Sequence, residues 1–478
     1  MSAWLVTLLG RTNLVGKVQT LSNVTRLSRS LRLICSDSRL QVIEYSSGVG
    51  TGGTNVLGTY SFICVNYCDG DETILVGFSR RAFIARSVAG MVTRLGLLTR
   101  QGMDFYPIYK DMQNWRTTDY DDTFPDTPFD NKPEGEDAGE KYQQMLVESA
   151  GKGELIKVKA VAVWDTVDSL GVLNVSWLAK MGMSHSTKEY RFFDTDLSDR
   201  IEYAFQALAL DEHRVPFSPT IWERTAANQR ATDLRQIWFP GNHSNVGGRW
   251  EDAGVTNMAL ACGCYGLFPS ILPEKSQWAI EPTYKSNTPG SEDFMFKLSG
   301  FNLRTPGMYM NIDIVKRVDP QTGAPTDTFL EDTNERMHSS VRVRLALKGL
   351  ALNDRRVWKA PALDGKWRLR KMTKEFHDPI PKSVKSWDPK TLFETSLRYR
   401  AADQQRPLSA MGHRPSRWVW EYCGPKEDAP PNKLIVEEPL GPYERQLLRL
   451  SGGAPNVYEH AENMTSETGL ETATAKMR

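Results

Sequence analysis

The sequence predicts an α/β fold with a mainly parallel sheet flanked by helices. Apolar strand patterns alternate with helical patterns between about residues 20 and 350, and glycine-rich or polar turns separate them. The composition, with 40% hydrophobic and 24% charged residues, is that of a folded globular protein. At 478 residues, the chain is long enough for one large domain and an extension.

The first elements form a helix and a strand. In SNVTRLSRSL, Val24, Leu27 and Leu31 have helical spacing, and Ser22 is placed to cap the helix. LQVIEYSSG then predicts a strand, which the glycine-rich turn GVGTGGT follows. The segment ETILVGFS predicts a continuous apolar strand, and RRAFIARSVAGMV predicts the next helix.

Two later strands complete the predicted core. LIKVKAVAVWDTV ends at Asp165, and LRQIWFPGNHSNVGG leads to His243, so Ser79, Asp165 and His243 lie at three successive predicted strand ends. Residues 110–140 are rich in Asp, Pro, Gly and Asn, which predicts an acidic insertion outside the core, with a lid as one interpretation.

The remaining segments have weaker patterns. The charged residues 211–214 follow an apolar stretch interpreted as a helix, and we expect them to form a solvated terminus or local ion pairs. Alternating apolar residues after His338 predict a strand. The proposed division is a domain at 20–350, a C-terminal extension of unknown role at 351–450 and a polar, disordered tail at 451–478.

Charge and cysteine usage exclude several classes of partner. The 59 basic and 58 acidic residues give a net charge of +1, which offers no general basis for nucleic-acid binding. None of the six cysteines has the paired spacing of a zinc site, and we predict no metal. Without an apolar run long enough to span a bilayer, the chain is expected to be a soluble, cytoplasmic protein.

The strand-end residues suggest a nucleophile, a base and an acid. A serine becomes a good nucleophile when an imidazole takes its proton, and a carboxylate orients that imidazole. The order Ser79, Asp165, His243 is that of α/β-hydrolases. The Arg80 N–H would then help to hold an oxyanion, with Gly77 at the same turn. Each residue alone is better explained as a turn, a cap or a loop residue, and the order is what favours chemistry.

A glycine-rich loop offers a competing hypothesis. Residues 48–53 fit a dinucleotide-binding fingerprint after a strand. That fingerprint also requires an acidic residue at the end of the following strand, where this chain has Ser79. We therefore predict no cofactor and interpret the loop as structural or as part of an active-site rim.

Seven motifs together resemble one known family. They are SNVTRLSR, YSSGVGTG, VGFSRRAFIARSVAG, VAVWDTVDSLGV, FQALALDEHRVPFSPTIW, WFPGNHSNVGG and ERMHSSVRVR. The chain resembles the α/β-hydrolase domains named after type VI secretion phospholipase effectors, over about residues 20–350. The resemblance implies an ester hydrolase with Ser79 as nucleophile, His243 as base and Asp165 as acid, with Asp252 as the fallback acid. It implies a lipid or small ester substrate and allows peripheral membrane contact.

Two departures from the family pattern support an alternative function. Arg81 stands where the family has a glycine, and a side chain there is expected to crowd the turn. Residues 1–20 lack the Asp-Gly-Thr loop that follows the family's first strand, although WLVTLLGRTN can replace the strand itself. The alternative is a catalytically impaired interaction module on the same fold.

Overall fold

A computed structural model describes the chain in segments. It covers residues 3–9, 20–31, 33–34, 38–46, 52–97, 107–108, 110–111, 121–133, 138–149, 156–167, 197–224, 231–250, 253–267, 302–309, 329–346, 357–372, 417–427, 429–438 and 444. The loop at 47–51, Asp252 and the tail at 451–478 therefore lie outside the described residues.

The strands of the described residues form a single sheet. They are β1 (Trp4–Leu9), β2 (Gln41–Ser46), β3 (Glu72–Phe78), β4 (Val158–Trp164), β5 (Ile201–Ala209), β6 (Asp233–Phe239), β7 (Glu335–His338), β8 (Trp367–Met372), β9 (Arg417–Tyr422) and β10 (Leu434–Glu438). Their order is β2-β1-β3-β4-β5-β6-β7-β10-β9-β8. Pairing is parallel from β2 to β10, whereas β9 pairs antiparallel with both of its neighbours.

Helices cover both faces of this sheet. They are α1 (Asn23–Ser30), α2 (Gly52–Asn66), α3 (Arg80–Leu95), α4 (Ala138–Ser149), α5 (His243–Gly247), α6 (Gly254–Leu267) and α7 (Ser339–Ala346). Helices α1 and α6 pack on one face, and α2, α3 and α4 pack on the other. Buried residues of β1 alternate between these two layers, as the period of a strand requires. The predicted α/β fold is confirmed.

The N-terminal elements agree with the sequence prediction. The Ser22 side chain caps α1 by accepting a hydrogen bond from the Thr25 N–H at 3.3 Å. Residues Trp4–Leu9 form a strand between β2 and β3, so WLVTLLGRTN does supply a first strand. No helix among the described residues is both long and apolar enough to cross a bilayer.

The prediction of a helix before residues 211–214 is wrong. Residues Ile201–Ala209 form β5, which lies between β4 and β6. Because the sheet is covered on both faces, a buried strand here has a continuous apolar run, and periodicity cannot distinguish such a run from a helix. The ends of β3, β4 and β6 are therefore not successive in space, since β5 separates the last two.

The prediction of a strand after His338 is also wrong. Only Glu335–His338 is a strand, and Ser339–Ala346 forms helix α7. Arg342 and Arg344 alternate with apolar residues, which suggests a strand with one solvated face, but both arginines are buried. Arg342 is paired with Glu437 at 2.7 Å. The alternation of arginines with apolar residues therefore does not mark a solvated face here, because both arginines are buried.

The acidic insertion is anchored by one lysine. The Lys132 ammonium lies 2.8 Å from Asp111 and 2.7 Å from Asp122. Tyr142 of α4 donates to Asp111 at 2.6 Å, which joins the insertion to the helix layer. Described residues 121–133 contain no helix or strand, as expected for an insertion, whereas α4 was not predicted.

Three C-terminal strands extend the sheet beyond residue 351. Trp367 of β8, Trp420 of β9 and Ile435 of β10 share a buried cluster with Trp238 of β6 and Met337 of β7. The described part of residues 351–450 therefore shares both hydrogen bonding and core with the rest of the sheet.

We expect Ile435→Ala to destabilise the whole sheet. Ile435 is 1% exposed, and truncating such a side chain costs about 2–5 kcal/mol. Urea unfolding followed by tryptophan fluorescence should show one transition at a lower midpoint. Val357→Ala, at a position 42% exposed, should stay within about 0.5 kcal/mol of the parent protein. A separate early transition would mean that the C-terminal strands unfold independently.

Candidate active site

Ser79 lies at a sharp turn between β3 and α3. Its backbone has φ 63° and ψ −133°, a conformation that costs energy for a residue with a side chain. The Ser79 N–H donates to the Trp164 carbonyl at 3.1 Å, which ties the turn to the end of β4. The side chain makes no capping bond to α3 and is only partly buried. The turn thus presents the hydroxyl at the carboxyl edge of the sheet.

Two glycines provide the space for this turn. A Cβ on Gly77 would lie 2.5 Å from the Arg81 carbonyl oxygen and 2.7 Å from the Ala82 Cα, both backbone atoms. A Cβ on Gly247 would lie 1.9 Å from the Phe78 ring. Gly77 therefore lets α3 fold back against β3, and Gly247 lets α5 approach the same turn.

The two arginines after Ser79 differ in their surroundings. Arg80 is exposed, and its N–H belongs to the first helical turn, where helix bonding leaves N–H groups available. The Arg81 guanidinium donates to the Ser46 carbonyl at the end of β2, at 3.3 Å. The Arg81 side chain extends from the turn toward the end of β2, so the turn forms with arginine at this position.

Asp165 and His243 form a short buried hydrogen bond. His243 Nδ1 lies 2.6 Å from Asp165 Oδ2, and both side chains are almost fully buried. The His243 ring packs on the Phe78 ring with a centroid distance of 4.6 Å. The Phe217 ring contacts it edge-on at 4.9 Å. The imidazole is thus held beside the residue that precedes Ser79.

Asp165 accepts hydrogen bonds from three separate segments. Arg304 donates Nη1 to Oδ1 at 2.6 Å and Nη2 to Oδ2 at 3.0 Å, and the Ala209 N–H donates to Oδ1 at 2.9 Å. Burial alone would raise the pKa of Asp165. The charge of Arg304 and the bonds from His243 and Arg304 outweigh burial and hold that pKa well below its usual range. The carboxylate is therefore ionised and its His243 partner donates through Nδ1–H.

The loop that carries His243 is fixed by its own cap. Asn242 and Asn245 form a reciprocal capping box at the start of α5. Asp211 accepts from the Gly241 N–H at 2.6 Å, and Glu212 accepts from the His243 N–H at 3.3 Å. These contacts join the end of β5 to the His243 loop.

Residues 211–214 therefore have a different environment from the predicted solvated terminus. Glu212 is only 1% exposed, although it does form the expected local ion pair, with Arg214 at 2.8 Å. Trp358 donates its indole N–H to Asp211 at 3.0 Å. Burial raises the pKa of Asp211 despite these bonds. A residue from the C-terminal extension thus reaches the site.

The structure brings some predicted residues together and adds others. It places Asp165 and His243 in contact and Ser79 next to a ring that touches His243. Sequence reasoning missed Arg304 and the site contacts of Asp211, Glu212 and Phe217. The motif FQALALDEHRVPFSPTIW contains the last three and could have indicated them, whereas Arg304 lies in no quoted motif.

A second buried cluster has metal-binding residue types. Within the described residues, the ligand atoms of Cys262, His338 and Glu444 lie within 4.8 Å of one another. His338 uses both ring nitrogens in hydrogen bonds, to Ser340 at 2.7 Å and to Glu444 at 3.0 Å. The second of these bonds accounts for the contact between His338 and Glu444, and neither bond involves Cys262.

A family match accounts for much of this arrangement. The family model described as "T6SS, Phospholipase effector Tle1-like, catalytic domain" matches residues 10–262 of the 478-residue chain. The chain belongs to this family. Membership agrees with the α/β-hydrolase type of sheet and suggests a hydrolase of the lipase or phospholipase type. Arg304, Trp358 and strands β7 to β10 lie beyond the matched Tle1-like region.

A curated yeast protein shares part of the sequence. The uncharacterized protein YEL023C of Saccharomyces cerevisiae is 22% identical over 185 residues, which is 36% of this chain and 23% of the yeast protein. The aligned part thus spans less than a quarter of that relative, whose printed name gives no activity.

We expect Asp165→Asn to destabilise the protein most at neutral pH. The substitution leaves the buried Arg304 without a countercharge, which costs about 3–5 kcal/mol. Because the folded pKa is depressed, the stabilisation from Asp165 is complete above the ordinary value of 3.8 and is lost as pH falls below it. Urea unfolding should show that the difference in free energy of unfolding between the parent protein and Asp165→Asn becomes smaller from about pH 7 down to about pH 3.

A matched control is available in the Arg224–Asp332 pair. Its atoms lie 2.7 Å apart, but the Asp332 side chain is 25% exposed. Asp332→Asn should therefore change stability by about 1 kcal/mol or less. A gap for Asp165→Asn that stayed constant over this pH range would contradict the assigned charge state of Asp165.

Proposed function

We propose that this Tle1-like chain is a serine hydrolase that cleaves a carboxylic ester through Ser79, His243 and Asp165. The observation that carries the proposal is the buried 2.6 Å bond between Asp165 and His243. The His243 imidazole packs on the Phe78 ring with a centroid distance of 4.6 Å. Phe78 directly precedes Ser79, and the strained serine turn is the feature that α/β-hydrolases use to expose a nucleophile. Family membership supports the hydrolase class.

The proposed reaction begins with proton transfer. In the neutral imidazole, the proton that His243 shares with Asp165 is on Nδ1, so Nε2 is the nitrogen that can accept the proton of Ser79 as general base. Ser79 Oγ attacks the ester carbonyl, and the protonated imidazole then gives its proton to the leaving alcohol. Water attacks the acyl-enzyme with His243 again as base, which releases the acid and regenerates Ser79.

The oxyanion of each tetrahedral intermediate needs donors beside Ser79. The backbone N–H of Arg80 is placed for this role, because it follows the nucleophile and starts α3. The partial positive charge at the start of this 16-residue helix favours the same negative oxygen. Gly77 acts indirectly, since its missing Cβ permits the turn.

We infer a phospholipid acyl ester as the substrate class. The inference rests on the phospholipase effectors named in the family description. A lipid substrate would require peripheral contact with a membrane surface, which we propose as part of the same function. A small soluble ester is the alternative substrate within the same chemistry.

We expect a fluorophosphonate probe to label the parent protein at Ser79. Ser79→Ala removes the nucleophile, and His243→Ala removes its base, so both should abolish labelling. Each should lower kcat/KM for ester hydrolysis by about 10³-fold or more. Gel fluorescence measures labelling, and fatty-acid release from phosphatidylcholine vesicles measures lipid hydrolysis.

Ser61→Ala is the matched control, because Ser61 is an exposed serine on α2. It should leave labelling and hydrolysis unchanged. Labelling that persists in folded Ser79→Ala would refute the assigned nucleophile. Hydrolysis of a soluble ester without fatty-acid release would refute the phospholipid substrate and retain the serine mechanism.

We expect Arg81→Gly to leave the labelling rate within about threefold of the parent. The Arg81 side chain points toward Ser46, and the turn is already formed, so glycine relieves no clash. A glycine in the first helical turn should cost about 1 kcal/mol of stability or less. Rates from time-resolved labelling and midpoints from thermal unfolding measure the two effects.

This variant also tests the interaction-module alternative. An impaired turn would give a parent protein that is folded but unlabelled and an Arg81→Gly variant that gains labelling. That result would replace the proposed function with a binding role on the same fold.

A further inference from the structure

Arg304 lies outside the matched family region and contacts the proposed acid directly. Its guanidinium spans both oxygens of Asp165, with distances of 2.6 Å to Oδ1 and 3.0 Å to Oδ2. Nη2 also donates to the Phe217 carbonyl at 2.6 Å. The side chain is 3% exposed, so these bonds are shielded from water. The planar guanidinium can donate two parallel hydrogen bonds to the two oxygens of a carboxylate, a geometry that lysine cannot provide.

This fork limits how the carboxylate of Asp165 can rotate. Each oxygen accepts from Arg304 and from one further donor, the Ala209 N–H at 2.9 Å for Oδ1 and His243 Nδ1 at 2.6 Å for Oδ2. Rotating the carboxylate would break both bonds to the guanidinium at once. Oδ2 is therefore held toward the imidazole.

The segment that carries Arg304 is itself anchored at several points. Buried Glu335 of β7 accepts from the Gly307 N–H at 2.8 Å and from the Trp238 indole at 2.9 Å. The Asn302 N–H donates to the His213 carbonyl at 2.8 Å. The Trp238 ring stacks on Tyr309 with a centroid distance of 6.0 Å. Packing and backbone bonds thus hold the segment from which the guanidinium reaches Asp165.

We propose that Arg304 is a positioning residue, which holds Asp165 so that Asp165 keeps His243 in the tautomer that can accept the serine proton. The proposal rests on the function proposed above. Arg304 does not touch the reacting atoms, and it is proposed to act through its two bonds to Asp165. The segment around it adds to the site a function that the matched family region does not contain.

Arg304 also changes how Asp165 influences His243. The guanidinium offsets the negative charge of Asp165, so the carboxylate that orients the imidazole is one half of a buried ion pair. Among the described residues, the charged groups near the imidazole and its loop include Asp165, Asp211, Glu212, Arg214 and Arg304. Glu212 is paired with Arg214, and Arg304 is paired with Asp165.

Arg304→Gln and Arg304→Lys in the full chain test the proposal. Arg304→Gln should lower kcat by about 10- to 100-fold with a smaller change in KM. Losing the hydrogen-bond partner that orients a metal-ligating side chain has an effect of this size, and Arg304 orients Asp165 in the same way. Arg304→Lys keeps the charge without the fork and should recover part of that loss. The pH–rate profile of Arg304→Gln should also differ from that of the parent, because Asp165 then lacks its countercharge.

A second measurement does not depend on activity. The Nδ1–H of His243 should give a downfield proton resonance by NMR, assigned by its absence from His243→Ala. It should broaden or disappear in Arg304→Gln and persist in Arg224→Gln. Arg224 is a matched control, because it is also a buried arginine with an acidic partner, Asp332. Its neighbour Glu223 accepts a backbone hydrogen bond from the Leu197 N–H, just before β5.

The outcomes separate this proposal from the proposed function. Loss of the resonance in Arg304→Gln alone supports positioning, whether or not Ser79 reacts with a probe. An unchanged resonance together with unchanged kcat overturns it. Equal losses in Arg304→Gln and Arg224→Gln also overturn it, because they indicate general destabilisation. A parent protein that shows the resonance but no labelling would refute only the serine mechanism.

Discussion

The site depends on one buried charge, the carboxylate of Asp165. Taking an ion out of water is costly, and the cost is offset only when charges and hydrogen bonds surround it. Here the donors come from the end of β5, the start of α5 and the segment at 302–309. Each of these segments is brought to the same point because Asp165 lies there. The carboxylate therefore couples the packing of the sheet to the geometry of the proposed chemistry.

The sheet order explains why residues far apart in sequence meet. Strands β3 and β4 are neighbours, so the Ser79 turn and Asp165 share an edge, and the Ser79 N–H bonds to the Trp164 carbonyl at 3.1 Å. β6 lies one strand farther away, beyond β5. The loop after β6 reaches across the end of β5, and the Asp211 and Glu212 bonds hold it there. Hydrogen bonds to these two carboxylates thus take the place of direct pairing between β4 and β6.

The sequence indicated the elements whose patterns are local. The strand and helix around Ser79, the capped helix at Ser22 and the strand before Asp165 were all predicted, and the family resemblance agrees with the family match. β5 was missed because a strand buried on both faces has no period of two. Helix α7 was missed because Arg342 and Arg344 are buried in the folded chain, where Arg342 pairs with Glu437. No local sequence pattern indicates a role for Arg304, since that role depends on its contact with Asp165, which is 139 residues away. The chemical roles of Ser79, Asp165 and His243 stay predictions.

The Arg304 contact also bears on how such a protein can evolve. The family match ends at residue 262, but the countercharge of Asp165 and the indole that binds Asp211 come from later in the chain. A recombination event that transferred only the matched region would bring a buried anion into its new host without the cation that stabilises it. The unit that keeps this anion paired is therefore longer than the matched region, and substitutions at Asp165 and at Arg304 should be tolerated better together than one at a time.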